Sequence, residues 1–277
     1  MKKVKELFDL KNKVAVITGG GGLLGQKHAE ALAEFGCITV LVDIDEEKTI
    51  KAVKFIEKEF SVKSIAFKCD ITIKKEIEKL RDFILSEFGR VDILINNAAI
   101  DPKVDNSGAE VSFSRLEYFD IDQWNKEISV GLSGAFLCSQ IFGFQMAKQG
   151  EGVIINISSD LGIIAPDQKL YRKEGLPEEK QPVKPVTYSV IKHGLIGLTK
   201  YLATYWADKG IRVNSLCPSG VYTNQPEEFV QKISTLIPLG RMANVDEYKA
   251  AIVFLASEAS SYMNGSTLIV DGGRTCW

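Results

Sequence analysis

Val14-Ala15-Val16-Ile17-Thr18-Gly19-Gly20-Gly21-Gly22-Leu23-Leu24-Gly25 is the stretch that decides the fold. Val14 to Ile17 are apolar and mostly β-branched, which suits a strand buried on both faces. Four glycines follow. Beyond Gly25 the period changes to that of a helix, with Ala29, Leu32 and Ala33 on one face and Gly36 placed as its C-cap. Strand, tight glycine turn and helix together aim free backbone N–H groups and the positive end of a helix dipole at one point, which suits a phosphate. Glycine is needed there because a Cβ would block the approach of the backbone to a pyrophosphate.

A second apolar strand, Ile38 to Val42, ends at Asp43, 24 residues after Gly19. An acid about 20 residues beyond the first glycine is where a dinucleotide fold hydrogen-bonds the adenine ribose. Working outward, apolar stripes predict helices through Ile50, Val53, Ile56 and Phe60, and through Ile73, Ile77, Leu80, Ile84 and Phe88. Strands are expected at Ser64–Phe67 and Val91–Ile95. This alternation implies a doubly wound parallel α/β sheet with helices on both faces, a Rossmann fold of about seven strands in one domain covering residues 1–277. Asp43, Asp70 and Asn97 fall just past strand carboxyl ends, where such sheets bind ligands.

Residues 100–120, with Pro102 and Gly108, read as a polar loop. A long helix from Asp122 to Lys148 follows, apolar around more than one stripe. One side is expected to face the sheet and the other a partner subunit. Val153–Ile157 is a strand ending in Ser158-Ser159. Asp160 to Val186 is irregular and holds four prolines. A helix runs from Thr187 to Asp208, a strand from Ile211 to Leu216, and a short helix from Pro226 to Ser234. Asn244-Val245-Asp246-Glu247 resembles a capping box opening the final helix, and Thr267–Val270 is the last strand.

The 277 residues are 45% hydrophobic and 25% charged with net charge −2, which fits a globular protein and gives no electrostatic footprint for nucleic acid. Five widely spaced cysteines form no metal or redox pair and suit a reducing cytoplasm. With only His28 and His193, no histidine-built metal site is expected. Both are read as ordinary helix residues, His193 as a packing residue. No secretory leader and no bilayer-spanning run is read.

Tyr188-Ser189-Val190-Ile191-Lys192 carries the chemistry. Residues four apart on a helix share a face. A free tyrosine ionises near pH ~10, too high for a base at neutral pH. A neighbouring ammonium favours the phenolate. Ser159, one strand earlier, supplies a hydroxyl for the reacting oxygen.

Taken together these pieces resemble the short-chain dehydrogenase/reductases over essentially the whole chain. The matching motifs are Thr18-Gly19 through Gly25, Asp70-Ile71, Asn96-Asn97-Ala98-Ala99, Ser159, Tyr188-x-x-x-Lys192, Pro218 through Thr223, and Asp271-Gly272-Gly273. The resemblance implies that Ser159 orients the substrate oxygen, Tyr188 is the acid/base, and Lys192 lowers the Tyr188 pKa and holds the nicotinamide ribose. It places Gly19, Gly22, Leu24 and Gly25 at the cofactor, Asp70 and Ile71 beside the adenine, Asn97 on the adenosine ribose side, and Val221 and Thr223 at the nicotinamide amide. It also implies a homotetramer or homodimer.

Three departures from the family pattern stand out. The compact branch spaces its glycines T-G-x-x-x-G-x-G, whereas Leu23 occupies the second of those glycine places here. The spacing is that of the larger epimerase-like branch, although length, Asn96 to Ala99 and Asp271 to Gly273 fit the compact one. An Asn expected in the long helix, where it holds a water of the proton relay, is Gly131. Ser159 and Tyr188 are 29 residues apart, longer than usual, so residues 160–186 are expected to form an insertion covering the substrate, with Asp167, Arg172 and Lys173 as its polar groups.

Asp43 would accept from a free 2′-hydroxyl and repel a 2′-phosphate, so NAD is expected over NADP. The expected function is NAD-dependent interconversion of a secondary alcohol and a ketone on a polar small molecule. A sugar-derived substrate is favoured because segments 181–206 and 271–277 resemble family members linked to cell-surface carbohydrate synthesis. A 3-oxoacyl-thioester reductase is the alternative enzyme, and a non-catalytic dinucleotide sensor the alternative class.

Overall fold

The computed structural model describes residues 2–100 and 114–277. The strands are β1 (Val14–Thr18), β2 (Ile38–Asp43), β3 (Ser64–Lys68), β4 (Ile93–Asn96), β5 (Gly152–Ile157), β6 (Ile211–Pro218) and β7 (Thr267–Val270). They form one parallel sheet in the order β3-β2-β1-β4-β5-β6-β7. The helices are α1 (Leu23–Glu34), α2 (Glu46–Phe60), α3 (Lys74–Phe88), α4 (Ile121–Ile128), α5 (Gly134–Gln149), α6 (Val186–Tyr205), α7 (Glu227–Ser234) and α8 (Lys249–Ala256).

Alternate residues of the central strands feed two cores. Ala15 and Ile17 point to the side covered by α1, α2 and α8, where Leu32, Ile56 and Ile252 are buried. Val14 and Val16 point to the side covered by α3, α5 and α6, where Leu80, Phe142 and Trp206 are buried. A strand sealed on both faces must be apolar throughout, and all five residues of β1 are buried. The chain order reverses between β1 and β4, which opens a crevice at their carboxyl ends.

Several expected boundaries shift. Helix α1 ends at Glu34 with Phe35 as its cap, and Gly36, at φ +83°, follows as the turn residue. The long apolar helix is one rod, Ile121 to Gln149, interrupted by a π-helical turn at Ser129–Ser133. Asp120 opens it, its carboxylate accepting from the N–H groups of Asp122 and Gln123 at 2.8 and 2.9 Å. By length and composition this rod is apolar enough to cross a bilayer, contrary to the expectation that no run is. It is a core helix instead, with half of its most apolar window buried. Only part of the capping box at Asn244 forms: its N–H donates to Glu247 Oε2 at 2.7 Å, but α8 starts five residues later. Of the polar loop at 100–120, Pro102 and Gly108 lie outside the described residues.

Residues 160–186 are a chain of short 3-10 turns. Leu170 and Tyr171 anchor them on Phe229, Ile233, Ile237 and Met242, in and beyond α7. The segment's polar groups make internal contacts. Asp167 caps the turn at Lys169 N at 2.9 Å, Arg172 pairs with Glu178 at 2.8 Å, and the Lys173 N–H donates to Gln181 Oε1 at 2.9 Å.

Candidate active site

The glycine turn leads from the end of β1 into α1. Gly19 has φ +63°, and a Cβ there would lie 2.8 Å from Ala98 Cα, so the position admits only glycine. A Cβ on Gly25 would fall 2.1 Å from the Gly19 carbonyl oxygen, so Gly25 lets α1 close onto the turn. The turn is held from β4: Asn97 Nδ2 donates to the carbonyls of Thr18 and Gly19 at 3.0 and 3.2 Å. The buried Thr18 hydroxyl accepts from Asn97 N and Ala98 N at 3.0 and 3.1 Å and donates to the Ile95 carbonyl at 3.3 Å.

These residues border a cleft of about 490 Å³ that also takes in Leu23, Leu24, Asp43, Asp70 and Ile71. Seven of the expected cofactor residues, Gly19, Gly22, Leu24, Asp43, Asp70, Ile71 and Asn97, therefore border one cleft, whereas Gly25 packs against the Gly19 carbonyl. Asp43 does more than face the cleft: its Oδ2 accepts from Gly21 N at 3.0 Å and its Oδ1 from Asp45 N at 3.1 Å. The acid at the end of β2 thus shapes the glycine turn. The Asp70 carboxylate is turned onto its own loop, accepting from Thr72 N and Oγ1 at 2.9 and 2.7 Å. Cys69 lines the cleft as a thiol, since burial first, then Glu76 and Asp70, push it up to about 12. Val221 and Thr223 stand apart, on the segment after β6, which is pinned by Tyr222 N donating to Ala243 O at 2.9 Å and Gln225 Nε2 to Val221 O at 2.8 Å.

Helix α6 is clamped to the end of β5. Lys192 Nζ donates to the Ile157 carbonyl at 2.8 Å, and Ser158 Oγ donates to the Lys192 carbonyl at 2.7 Å. The approach is close enough that a Cβ on Gly162 would lie 2.8 Å from that same carbonyl oxygen. Lys192 is 6% exposed and its ammonium sits 5.6 Å from the centroid of the Tyr188 ring. Ser159, next along from the clamp, is 5% exposed. A buried cation one helical turn from a phenol, next to a strand-end hydroxyl, can stabilise a phenolate and move a proton to or from an oxygen.

Sequence reasoning missed several groups around this site. Lys184 stands on the other side of the phenol, with Nζ 3.9 Å from the Tyr188 ring centroid. The Asp160 carboxylate accepts from Ser159 Oγ at 2.7 Å, Ser219 Oγ at 2.8 Å and Arg274 Nη1 at 3.0 Å. Its signal was present: a carboxylate inside Ile157 to Ile164, an otherwise apolar and small-residue run, needs a buried partner. Beneath the site, Asn96 Nδ2 donates to Asn156 Oδ1 at 2.8 Å and Asn156 Nδ2 to Thr199 Oγ1 at 2.8 Å, tying β4, β5 and α6 together. His193 is not a packing residue. It is exposed, with Nδ1 2.9 Å from the Ser189 carbonyl of its own helix. His28 is 1% exposed, and neither ring nitrogen has a hydrogen-bond partner among the described residues.

A family model described as short chain dehydrogenase matches residues 13–171. The chain is a short-chain dehydrogenase/reductase. A second model, described as Enoyl-(Acyl carrier protein) reductase, matches residues 178–275. This short-chain dehydrogenase/reductase is 33% identical to an NADP-dependent mannitol dehydrogenase of Alternaria alternata, over 98% of this chain and 95% of that one. It is 31% identical to an NAD-dependent glycerol dehydrogenase of Listeria innocua, over 97% and 96%. Its structure resembles a gluconate 5-dehydrogenase from Burkholderia cenocepacia, solved with NADP and tartrate, with TM-score 0.84, 30% identity and 98% of each chain covered.

As a short-chain dehydrogenase/reductase it is an oxidoreductase of CH–OH groups working with a nicotinamide dinucleotide. The residues present fit that group. Gly22, the N-cap of α1, and Leu23 and Leu24 of its first turn border the cleft, and a Cβ on Gly22 would crowd the Gly19 carbonyl at 3.2 Å.

Proposed function

We propose that the enzyme interconverts a secondary alcohol and a ketone on a polyol or sugar-derived substrate, with NAD as cofactor. The observation that supports this reading is the clamp of α6 on β5, which holds Lys192, one helical turn after Tyr188, against the strand end that Ser158 and Ser159 follow. Tyr188 takes the alcohol proton as a phenolate and returns it in the reverse direction. Lys192 favours the phenolate. Ser159 hydrogen-bonds the reacting oxygen. The bound nicotinamide supplies the two-electron acceptor.

Gly19, Gly22, Leu24 and Gly25 would form the pyrophosphate turn, Asp43 and Asn97 the adenosine ribose side, Asp70 and Ile71 the adenine border, and Val221 and Thr223 the amide site. NAD is favoured because the Asp43 carboxylate borders the cleft. The nearest cation along the chain after it, Lys48, is paired with Asp45 at 2.8 Å. The relatives divide between NAD and NADP in their names, so the choice rests on Asp43.

The polyol class is supported by relatives named for mannitol, threitol and glycerol. Exposed Phe136 and Phe144 on α5, with Tyr201 and Tyr205 on α6, support a homodimer or homotetramer. The test is NADH formation from NAD with polyols, sugars, sugar phosphates and hydroxyacyl thioesters, alongside titration with NADH and NADPH. Turnover of polyols or sugar derivatives and tighter NADH binding are expected. Turnover of thioesters alone, or tighter NADPH, would replace this reading.

A further inference from the structure

We propose that Lys184 is a positioning residue for the proposed reaction: its ammonium lies over the Tyr188 phenol and, together with Lys192, favours the phenolate that takes the alcohol proton. The inference rests on the alcohol–ketone chemistry proposed above and deepens it, by giving the long segment before α6 a part in that chemistry.

Lys184 Nζ is 3.9 Å from the centroid of the Tyr188 ring, and Lys192 Nζ is 5.6 Å from it. The cation outside the Tyr188-x-x-x-Lys192 motif is thus the nearer of the two. An ammonium within about 6 Å of a ring face is attracted by the ring's electrons. The attraction grows when the phenol loses its proton, because the negative charge spreads from the oxygen into the ring. A charge of opposite sign at this range favours the ionised form by about 1–3 pH units.

The backbone of Lys184 is fixed on both sides. It runs between two buried prolines, Pro182 and Pro185, and Pro185 is the N-cap of α6. Proline fixes its own φ and biases the residue before it towards extended backbone. The Gln168 side chain brackets Lys184: its Oε1 accepts from Lys184 N at 2.8 Å, and its Nε2 donates to Lys184 O at 3.4 Å. Gln168 opens the turn whose Leu170 and Tyr171 pack on Phe229 and Ile233 of α7. Residues 160–186 therefore anchor a half-buried cation at the entry to α6.

Two acids lie on the elements that pack against the start of α6. Asp160, on the turn after β5, is paired with Arg274 at 3.0 Å. Glu127 on α4 is 1% exposed and has no ion pair among the described residues. It accepts from the hydroxyl of Thr187, the residue before Tyr188. A buried carboxylate there opposes a phenolate at the next residue. Lys192 on the same helix and Lys184 ahead of it are the described cations over the phenol that offset it.

Two titrations of the full-length enzyme test this. The first follows tyrosinate absorbance against pH with NAD present. The second follows kcat/KM against pH for oxidation of the best substrate among D-mannitol, D-threitol and glycerol. Both are run on wild type, Lys184→Met and Lys184→Arg, with Tyr188→Phe added to each as the blank that isolates Tyr188. Oxidation uses the phenolate, so its rate rises with pH until Tyr188 is ionised. Lys184→Met is expected to move both curves to higher pH by about one unit, which lowers oxidation about tenfold at pH values below the rise. Lys184→Arg keeps the charge and should stay near wild type. A purely structural role would lower the rate by one factor at every pH. Unmoved curves in Lys184→Met, or equal shifts in Lys184→Met and Lys184→Arg, overturn the inference alone. The tyrosinate titration uses no turnover, so the two readings fail separately. A wild type that turns over no alcohol overturns the function proposed above. One in which Tyr188 ionises no earlier than a free tyrosine, near pH ~10, overturns both.

Discussion

Gly131 and Ile191 leave no room between them: a Cβ on Gly131 would lie 2.8 Å from Ile191 Cγ2 and 3.0 Å from its Cδ1. Gly131 lies in the π-helical turn, and Ile191 directly precedes Lys192 on α6. The missing asparagine of the family pattern is therefore a packing choice as well as a chemical one. Gly131→Asn is expected to lower stability by about 1–3 kcal/mol through overpacking. Urea midpoints measure this, and Ile191→Ala in the same chain should recover part of the loss. An unchanged midpoint in Gly131→Asn would show that the two helices separate freely.

Thr18 is expected to govern the glycine turn. Its hydroxyl joins three backbone groups, and Thr18→Val keeps the shape while stranding two N–H groups and one carbonyl. Each stranded buried group costs about 1–3 kcal/mol where nothing compensates. Loss of about 2 kcal/mol or more in stability is expected, together with weaker NADH binding by fluorescence titration. Normal binding would mean that Asn97 alone holds the turn.

Much of this was legible in the residues and some was not. The β1 run and the glycine turn declared themselves because a doubly buried strand must be apolar and because Gly19 tolerates no side chain. The shared helix of Tyr188 and Lys192 was legible from their spacing, while the roles given to them rest on the family resemblance. The partners of Asp160 were not, because Arg274 is 114 residues away and only the fold brings them together. The π-helical turn was hidden for a related reason: an extra residue in a helical turn leaves an apolar stripe apolar. The internal contacts of Asp167 and Arg172 were not legible, because a charged side chain in a loop looks the same whether it meets a ligand or its own chain.

His28 makes stability depend on pH. Burial holds its pKa down at about 3, against about 6.5 when unfolded. Between those values the unfolded chain binds a proton that the folded chain does not, so stability falls as pH drops from about 6.5 towards 3, by up to about 1.4 kcal/mol per pH unit. Above pH 6.5 both states are neutral there and the contribution is constant. Denaturant unfolding of wild type and His28→Leu at several pH values checks this. The variant should lose less stability on acidification, and equal slopes would assign the acid sensitivity elsewhere.

Asp43→Asn tests the cofactor choice. The amide oxygen can still accept one backbone N–H, but the charge that repels a 2′-phosphate is gone. NADPH affinity should rise relative to NADH affinity in paired titrations. An unchanged ratio would place the discrimination outside Asp43.

Tyr188→Phe tests the central claim most directly. General acid–base groups contribute about 10²–10⁴-fold in rate. Removing one hydroxyl should lower kcat on the best polyol by about that factor while NADH still binds with an affinity close to that of wild type. A Tyr188→Phe enzyme that turns over polyol at the wild-type rate would contradict the account.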